Sequence, residues 1–482
     1  MIDLRPVAYV IGRILIVLAI LMLAPAIIDW RAGLANGTDF MEAAAITGVV
    51  GGALALATAN ALGASMDTRQ AYLLTVAIWA LVPAFGALPF ILGAPGLTWT
   101  NAYFEAVSGI TTTGSTVIVG LDALPDGMNL WRGMLNWLGG LGIAFIAMIF
   151  LPLMRVGGMQ FFRTEGFDTF GKALPRATDI ARQLLGVYVG LTVMCITVYG
   201  IVGMTALDAV VNGFATIATG GFSPADISFN KYPGAGEYFG ALFMFLGSLT
   251  YIRYVQLVNG SALPLWRDGQ ARAYARWLGT AVLMVTVWRV LTSDMAVEQV
   301  FREALFNLTS IMSGTGFFSG SFGNWGGFMM VVAFVVGVIG GCSGSSSGGL
   351  TVFRVQVAAS ALALQIRKIA NPSSVDVVKY QGRTVDEDVM SAIILFITGY
   401  IVIIGVLSVA MTLVGVDPVS AIFGIWTSIG NIGYGFGPMV ARTGTFVDFP
   451  PAAIMIMTLT MILGRLGLLA ILVLVLPAFW RR

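Results

Sequence analysis

Four segments of this chain align without gaps on one glycine each, and this repeat constrains the fold more than any other feature. They are NAYFEAVSGITTTGSTV (Asn101–Val117), LDAVVNGFATIATGGFSP (Leu207–Pro224), VFREALFNLTSIMSGTGFFSG (Val300–Gly320) and DPVSAIFGIWTSIGNIGYGFGP (Asp417–Pro438), anchored on Gly114, Gly220, Gly316 and Gly433. Phe104, Val210, Phe306 and Phe423 stand ten residues before the glycine; Thr113, Thr219, Thr315 and Ile432 stand just before it. The glycines recur at intervals of 106, 96 and 117 residues. Each segment opens with an apolar stretch of roughly 10–13 residues, too short to cross a bilayer and better read as a re-entrant half-helix. Repeats of this length set the architecture.

Between these segments lie apolar runs of about 20 residues, long enough to span a hydrocarbon core. They begin near Ala8, Met41, Ala71, Leu130, Arg182, Gly236, Arg276, Gly327, Val389 and Pro450. The first lacks the short apolar core and cleavage site of a signal peptide and reads as a retained helix. The expected fold is an all-α polytopic membrane protein: a two-helix extension over 1–66, then four helix–loop–helix modules over 67–178, 179–268, 269–384 and 385–482. The longest polar connectors, Gly157–Thr178 and Ile369–Asp388, are too short for a soluble domain.

Composition agrees. Of 482 residues, 57% are hydrophobic and 10% charged, too few charges for a soluble surface and too apolar for disorder. A net charge of +2 without a strong basic cluster speaks against nucleic-acid binding. With no histidine, the chain has no imidazole base, proton relay or His-based metal site. Cys195 and Cys342 lie far apart and give neither a disulfide framework nor a zinc site.

Irregular backbone at membrane depth is tolerated only when buried in protein or lining a water-filled path. Glycine there lets carbonyl oxygens approach an axis, and rings of such carbonyls replace the hydration shell of a cation. A Gly-rich connector would explain one such loop; four matched loops behind four short helices point to a pseudo-fourfold ion pore. The candidate filter residues are Thr112, Thr113, Gly114, Thr219, Gly220, Thr315, Gly316, Ile432 and Gly433.

On these segments, and on LPLMRVGGMQFFR, PLWRDGQARAY, GGCSGSSSGGLTVFR, GRLG and LPAFWRR, the sequence resembles the TrkH-type potassium uptake proteins of the Trk/Ktr/HKT superfamily over essentially its whole length. The resemblance implies one central K⁺ pathway, coordination of K⁺ by filter carbonyls, a homodimer in bacterial membrane lipid, and a cytosolic RCK-type partner that binds nucleotide. All-glycine filters in this superfamily favour K⁺, whereas serine at the first position favours Na⁺. No organic cofactor is implied.

The eighth span breaks into ten small residues: Gly340, Gly341, Cys342, Ser343, Gly344, Ser345, Ser346, Ser347, Gly348 and Gly349. Each glycine costs a helix about 1 kcal/mol relative to alanine, so the stretch is expected to be an intramembrane loop. Arg465 lies mid-way along the last span with no acid nearby in sequence, and an intramembrane arginine normally faces protein or a cavity. The loop and Arg465 together are the expected gate, with loop carbonyls and hydroxyls as the arginine's partners. Two positions depart from the family: Gly467 stands where Glu is usual, and Thr351 where Lys is usual.

The repeat puts a net charge of +9 on the side holding the N-terminus and −8 on the side of the loop mouths. Excess Lys and Arg mark the cytoplasmic face, so both termini are expected there. Basic connector residues, among them Arg163, Lys172, Arg176, Arg267, Arg272, Arg367, Lys368, Lys379 and Arg383, are docking candidates. The competing reading is a Na⁺- or H⁺-coupled symporter. Coupling needs ionisable groups at the midplane, and Arg465 is the one the sequence suggests there. An enzyme is disfavoured: no paired carboxylates stand within a span and no nucleotide fingerprint is present.

Overall fold

The computed structural model describes residues 3–61, 66–145, 177–373, 376–467, 474 and 476–480. The connector candidates Arg163, Lys172 and Arg176 lie outside the described residues.

The apolar runs form helices, and their burial shows that lipid is their solvent. In Glu387–Leu413, Val389, Ile393, Phe396 and Tyr400 recur at helical spacing and face inward. Ile394, Leu395, Ile401, Val402, Val406 and Val409 face outward and are exposed. In water such a face would drive aggregation; in a bilayer it is the ordinary surface. Five described helices are long and apolar enough to cross a membrane: Arg5–Arg31, Asn36–Ala57, Arg69–Leu92, Ala181–Ile201 and Glu387–Leu413. A sixth candidate, Ala235–Gly247 with Tyr251–Val258, is bent by 91°. The chain is therefore a multi-pass, helical membrane protein.

Four short helices stand between the spans: Trp99–Ile110, Ala206–Ile217, Val297–Ser313 and Pro418–Gly430. Residues of their starts favour helix initiation. The Thr205 hydroxyl accepts from Asp208 N at 3.2 Å, and Asp417 accepts from Val419 N and Ser420 N at 3.1 and 3.0 Å ahead of Pro418. The third helix, at 17 residues, is longer than expected. It adds a polar turn bearing Glu298 and Arg302, which pair at 3.0 Å.

Gly327–Ile339 and Val352–Ala370 flank a non-helical stretch over 340–351, so the expected break is present. Among the described residues one element departs from an all-helical fold. Lys379–Tyr380 pairs antiparallel with Arg383–Thr384 across Gln381 and Gly382, both with positive φ (49° and 84°), the turn type that suits a two-residue hairpin.

Candidate functional site

Each short helix ends in the same way. In the first, Thr113 N donates to Ser108 O at 2.8 Å and Thr112 N to Gly109 O at 3.0 Å. The equivalent pairs are Gly220 to Ala215 and Thr219 to Thr216, Thr315 to Ser310 and Gly314 to Ile311, and Ile432 to Thr427 and Asn431 to Ser428. These are four Schellman caps, which place one residue per copy in the left-handed region. That residue is Thr112 (φ 51°), Thr219 (51°), Gly314 (74°) or Asn431 (49°). A β-branched residue there is strained by about 1–2 kcal/mol, so the packing of the four copies holds Thr112 and Thr219 in place.

Two residues further on, the four loops meet. Gly114, Gly221, Gly316 and Gly433 have φ of 85°, 69°, 85° and 85°. A Cβ added to any one would land on the next copy's backbone: Gly114 on Gly220 O, Gly221 on Thr315 O, Gly316 on Ile432 O, and Gly433 on Thr113 O. The contacts run once around and close on themselves. All four glycines line one cavity of about 280 Å³, together with Thr116, Ser223, Ser319 and Gly435.

This corrects the ungapped repeat in its second copy. Gly220 takes the place held by Thr113, Thr315 and Ile432, and Gly221 is the ring glycine. Gly220 lacks the left-handed φ, and a Cβ on it would meet the Asn136 side chain instead. The second loop reads Thr-Gly-Gly, and anchoring on its first glycine shifts the register by one.

Beneath this ring lies the 340–351 loop. Its ends are drawn together by Leu350 N to Val338 O (3.0 Å), Thr351 N to Ile339 O (2.8 Å) and Val352 N to Gly341 O (2.9 Å). Its body docks on the break in the bent helix. Cys342 N donates to Ser248 O at 3.1 Å, Tyr251 N to Gly344 O at 3.0 Å, and the Thr250 hydroxyl to Ser343 O at 2.9 Å. Gln270 Oε1 accepts from Ser343 N at 2.8 Å. Gly348 packs so closely on Gly430 O that a Cβ there would overlap it, and Gly340 packs likewise on Gly348 O. Ser345, Ser346 and Ser347 are buried with Cys342.

Arg465 joins the two levels. Its Nη2 donates to Ser346 O at 2.9 Å and to the Thr112 hydroxyl. Tyr251 Oη donates to Ile217 O, at the end of the second short helix, at 3.2 Å, and accepts from the Ser346 hydroxyl at 2.8 Å. Gly467, with φ 73°, caps the C-terminal end of the helix Pro451–Leu466 that carries Arg465. Among the described residues no carboxylate pairs with Arg465. Thr351, with φ 73°, spends its hydroxyl on Ser343 at 2.7 Å.

Sequence reasoning assigned a single ionisable group to the interior; several more are buried. Arg354 donates to Leu350 O at 2.9 Å and lies 4.1 Å from the Phe396 ring centroid. Glu105 and Arg132 form a fully buried pair at 2.9 Å. Asn136 and Asn431 also act in the ring. Asn136 accepts from Phe222 N at 3.1 Å, and Asn431 donates to the Thr113 hydroxyl at 2.9 Å. These partners are remote in sequence, and no local pattern marks them.

Re-entrant helices, left-handed caps and a closed ring of glycine backbone define a membrane protein built to pass or hold a small ion. A family model described as "TrkH: Cation transport protein" matches residues 36–482. The chain belongs to this TrkH family of cation transport proteins, not to an enzyme family. Among its relatives, the Trk system potassium uptake protein TrkI of Halomonas elongata is 38% identical over 420 residues, covering 87% of this chain and 85% of that protein. The Trk system potassium uptake protein TrkH of Escherichia coli K12 is 32% identical over 487 residues, covering 99% of each. The crystal structure of the potassium transporter TrkH from Vibrio parahaemolyticus superposes with a TM-score of 0.91 at 28% identity, covering 100% of both chains.

Proposed function

We propose that this protein carries K⁺ into a bacterial cell across the plasma membrane through one channel-like pathway framed by its four modules. The observation that carries the reading is the closed ring of Gly114, Gly221, Gly316 and Gly433, with backbone carbonyls at the crossing points. Carbonyls presented by rigid caps suit a dehydrated monovalent cation. The names of the relatives above supply K⁺ as the ion. Thr112, Thr113, Thr219, Gly220, Thr315 and Ile432 contribute the adjoining carbonyls and hydroxyls.

The loop from Gly340 to Gly349, pinned by Arg465, closes the pathway below the ring. A fixed positive charge between Thr112 and Ser346 opposes cations there. Opening requires the loop to leave the Ser248–Tyr251 break. A cytosolic nucleotide-binding subunit acting on a homodimer would supply that drive, and the excess of Lys and Arg supports a docking face and both termini on the inside.

Coupled symport is the weaker reading. Buried carboxylates are committed to partners: Glu105 to Arg132 at 2.9 Å, and Asp208 to Lys231 at 2.9 Å. Purified protein in liposomes tests the choice. Rb⁺ uptake down its own electrochemical gradient is expected, and a strict requirement for a Na⁺ or H⁺ gradient would replace this reading with symport.

A further inference from the structure

Arg132 sits behind the ring, and none of the residues chosen for the filter or the gate accounts for it. Its Nε donates to Glu105 Oε1 at 2.9 Å, Nη1 to Ser223 O at 2.9 Å, and Nη2 to the Thr116 hydroxyl at 3.3 Å. Glu105 in turn accepts from the Thr116 hydroxyl at 2.9 and 3.0 Å and from Val117 N at 3.1 Å. The Arg132 guanidinium stacks 4.2 Å from the Phe222 ring centroid. Thr116 and Ser223 each stand two residues beyond a ring glycine, Gly114 and Gly221, and both line the outer cavity. One guanidinium therefore grips the same position in two neighbouring loops.

The second and third copies show what this position does for its loop, while the fourth carries Gly424 there. Asn307, the counterpart of Glu105 in the third copy, fixes its own loop by accepting from Ser319 N at 3.1 Å and donating to Ser319 O at 2.8 Å. Asn212, the counterpart in the second copy, reaches only Met204 Sδ at 3.8 Å, and its Oδ1 has no partner. Beyond its cap, the second loop is thus not braced by the side chain at this position of its own helix. It is held from the first module, by Arg132 at Ser223 and by Asn136 at Phe222. A buried ion pair is a poor source of stability, because desolvation offsets its attraction; its best-attested use is to enforce one geometry.

We propose that Glu105 and Arg132 are positioning residues for ion selectivity, fixing the spacing of the first and second filter loops so that the ring fits K⁺ and not Na⁺. This rests on the pore reading above. Arg132→Lys keeps the charge beside Glu105 but lacks the planar fork that reaches three acceptors. Its K⁺ over Na⁺ preference, read from reversal potentials in reconstituted bilayers, is expected to fall about tenfold or more, the scale on which ångström displacements of aligned groups act. Thr116→Val removes the hydroxyl shared by both charges at nearly constant volume and is expected to shift the ratio in the same direction. Thermal midpoints of the purified variants separate this from a fold defect. A purely structural pair would lower the midpoint and leave selectivity unchanged in the folded fraction. Unchanged selectivity in folded Arg132→Lys overturns the proposal, and where that variant does not fold, unchanged selectivity in Thr116→Val overturns it. A wild-type protein without K⁺ preference would overturn the pore reading as well, whereas a selective wild type with equally selective variants rejects only this inference.

Discussion

The left-handed residues carry the chemistry of the ring. At Gly114, Gly221, Gly316 and Gly433 both the backbone angle and the approach of the neighbouring carbonyl exclude a side chain. The register shift in the second copy separates two adjacent glycines experimentally. Gly221→Ala is expected to abolish cation flux or its K⁺ preference. Gly220→Ala, free of left-handed strain but pressed on the Asn136 side chain that braces Phe222, is expected to weaken the preference less than Gly221→Ala does. Rb⁺ and Na⁺ uptake by the two variants checks this, and equal damage would restore the ungapped register. The short helices and their glycine loops are legible in the sequence because apolar length and small-residue runs are local properties. The cyclic contacts, the Arg132 grip and the Asn431 bond to Thr113 are not legible. They join residues 16 to 320 positions apart, and only the folded packing brings them together.

At the scale of elements, two broken helices work as a pair. The break over 340–351 is legible because ten small residues in succession cannot sustain a good helix. Its receptor is not, since only the small hydroxyl residues Ser248 and Thr250, and no charged residue, interrupt the apolar run at the 91° bend. Tyr251 links the loop at Ser346 to the second short helix at Ile217. Tyr251→Phe removes both bonds while keeping the ring, and is expected to raise basal Rb⁺ flux several-fold, since each lost hydrogen bond weakens the closed state by about 1 kcal/mol. Arg465→Gln, or removal of several residues from Gly344 to Gly348, is expected to raise basal flux further. Unchanged flux in all three folded variants would mean that the loop is structural and not a gate.

The repeat implies a molecule polarised by charge although its formal net charge is only +2. Its sidedness can be read with thiol labels, because both native cysteines are buried. A cysteine at exposed Ala441 is expected to react with an impermeant maleimide on intact cells, and one at exposed Lys379, in the small hairpin, only after the membrane is opened. The reverse pattern would invert the topology and place the loop mouths inside.

The central claim is that four glycine loops form one K⁺-selective pathway, and a bi-ionic reversal potential tests it most directly. Purified wild-type protein in a planar bilayer, with K⁺ on one side and Na⁺ on the other, is expected to reverse far toward the K⁺ equilibrium potential, and Gly221→Ser to bring the reversal close to zero or to abolish the current. A wild-type current that does not discriminate K⁺ from Na⁺, or a Gly221→Ser variant as selective as wild type, would contradict the account.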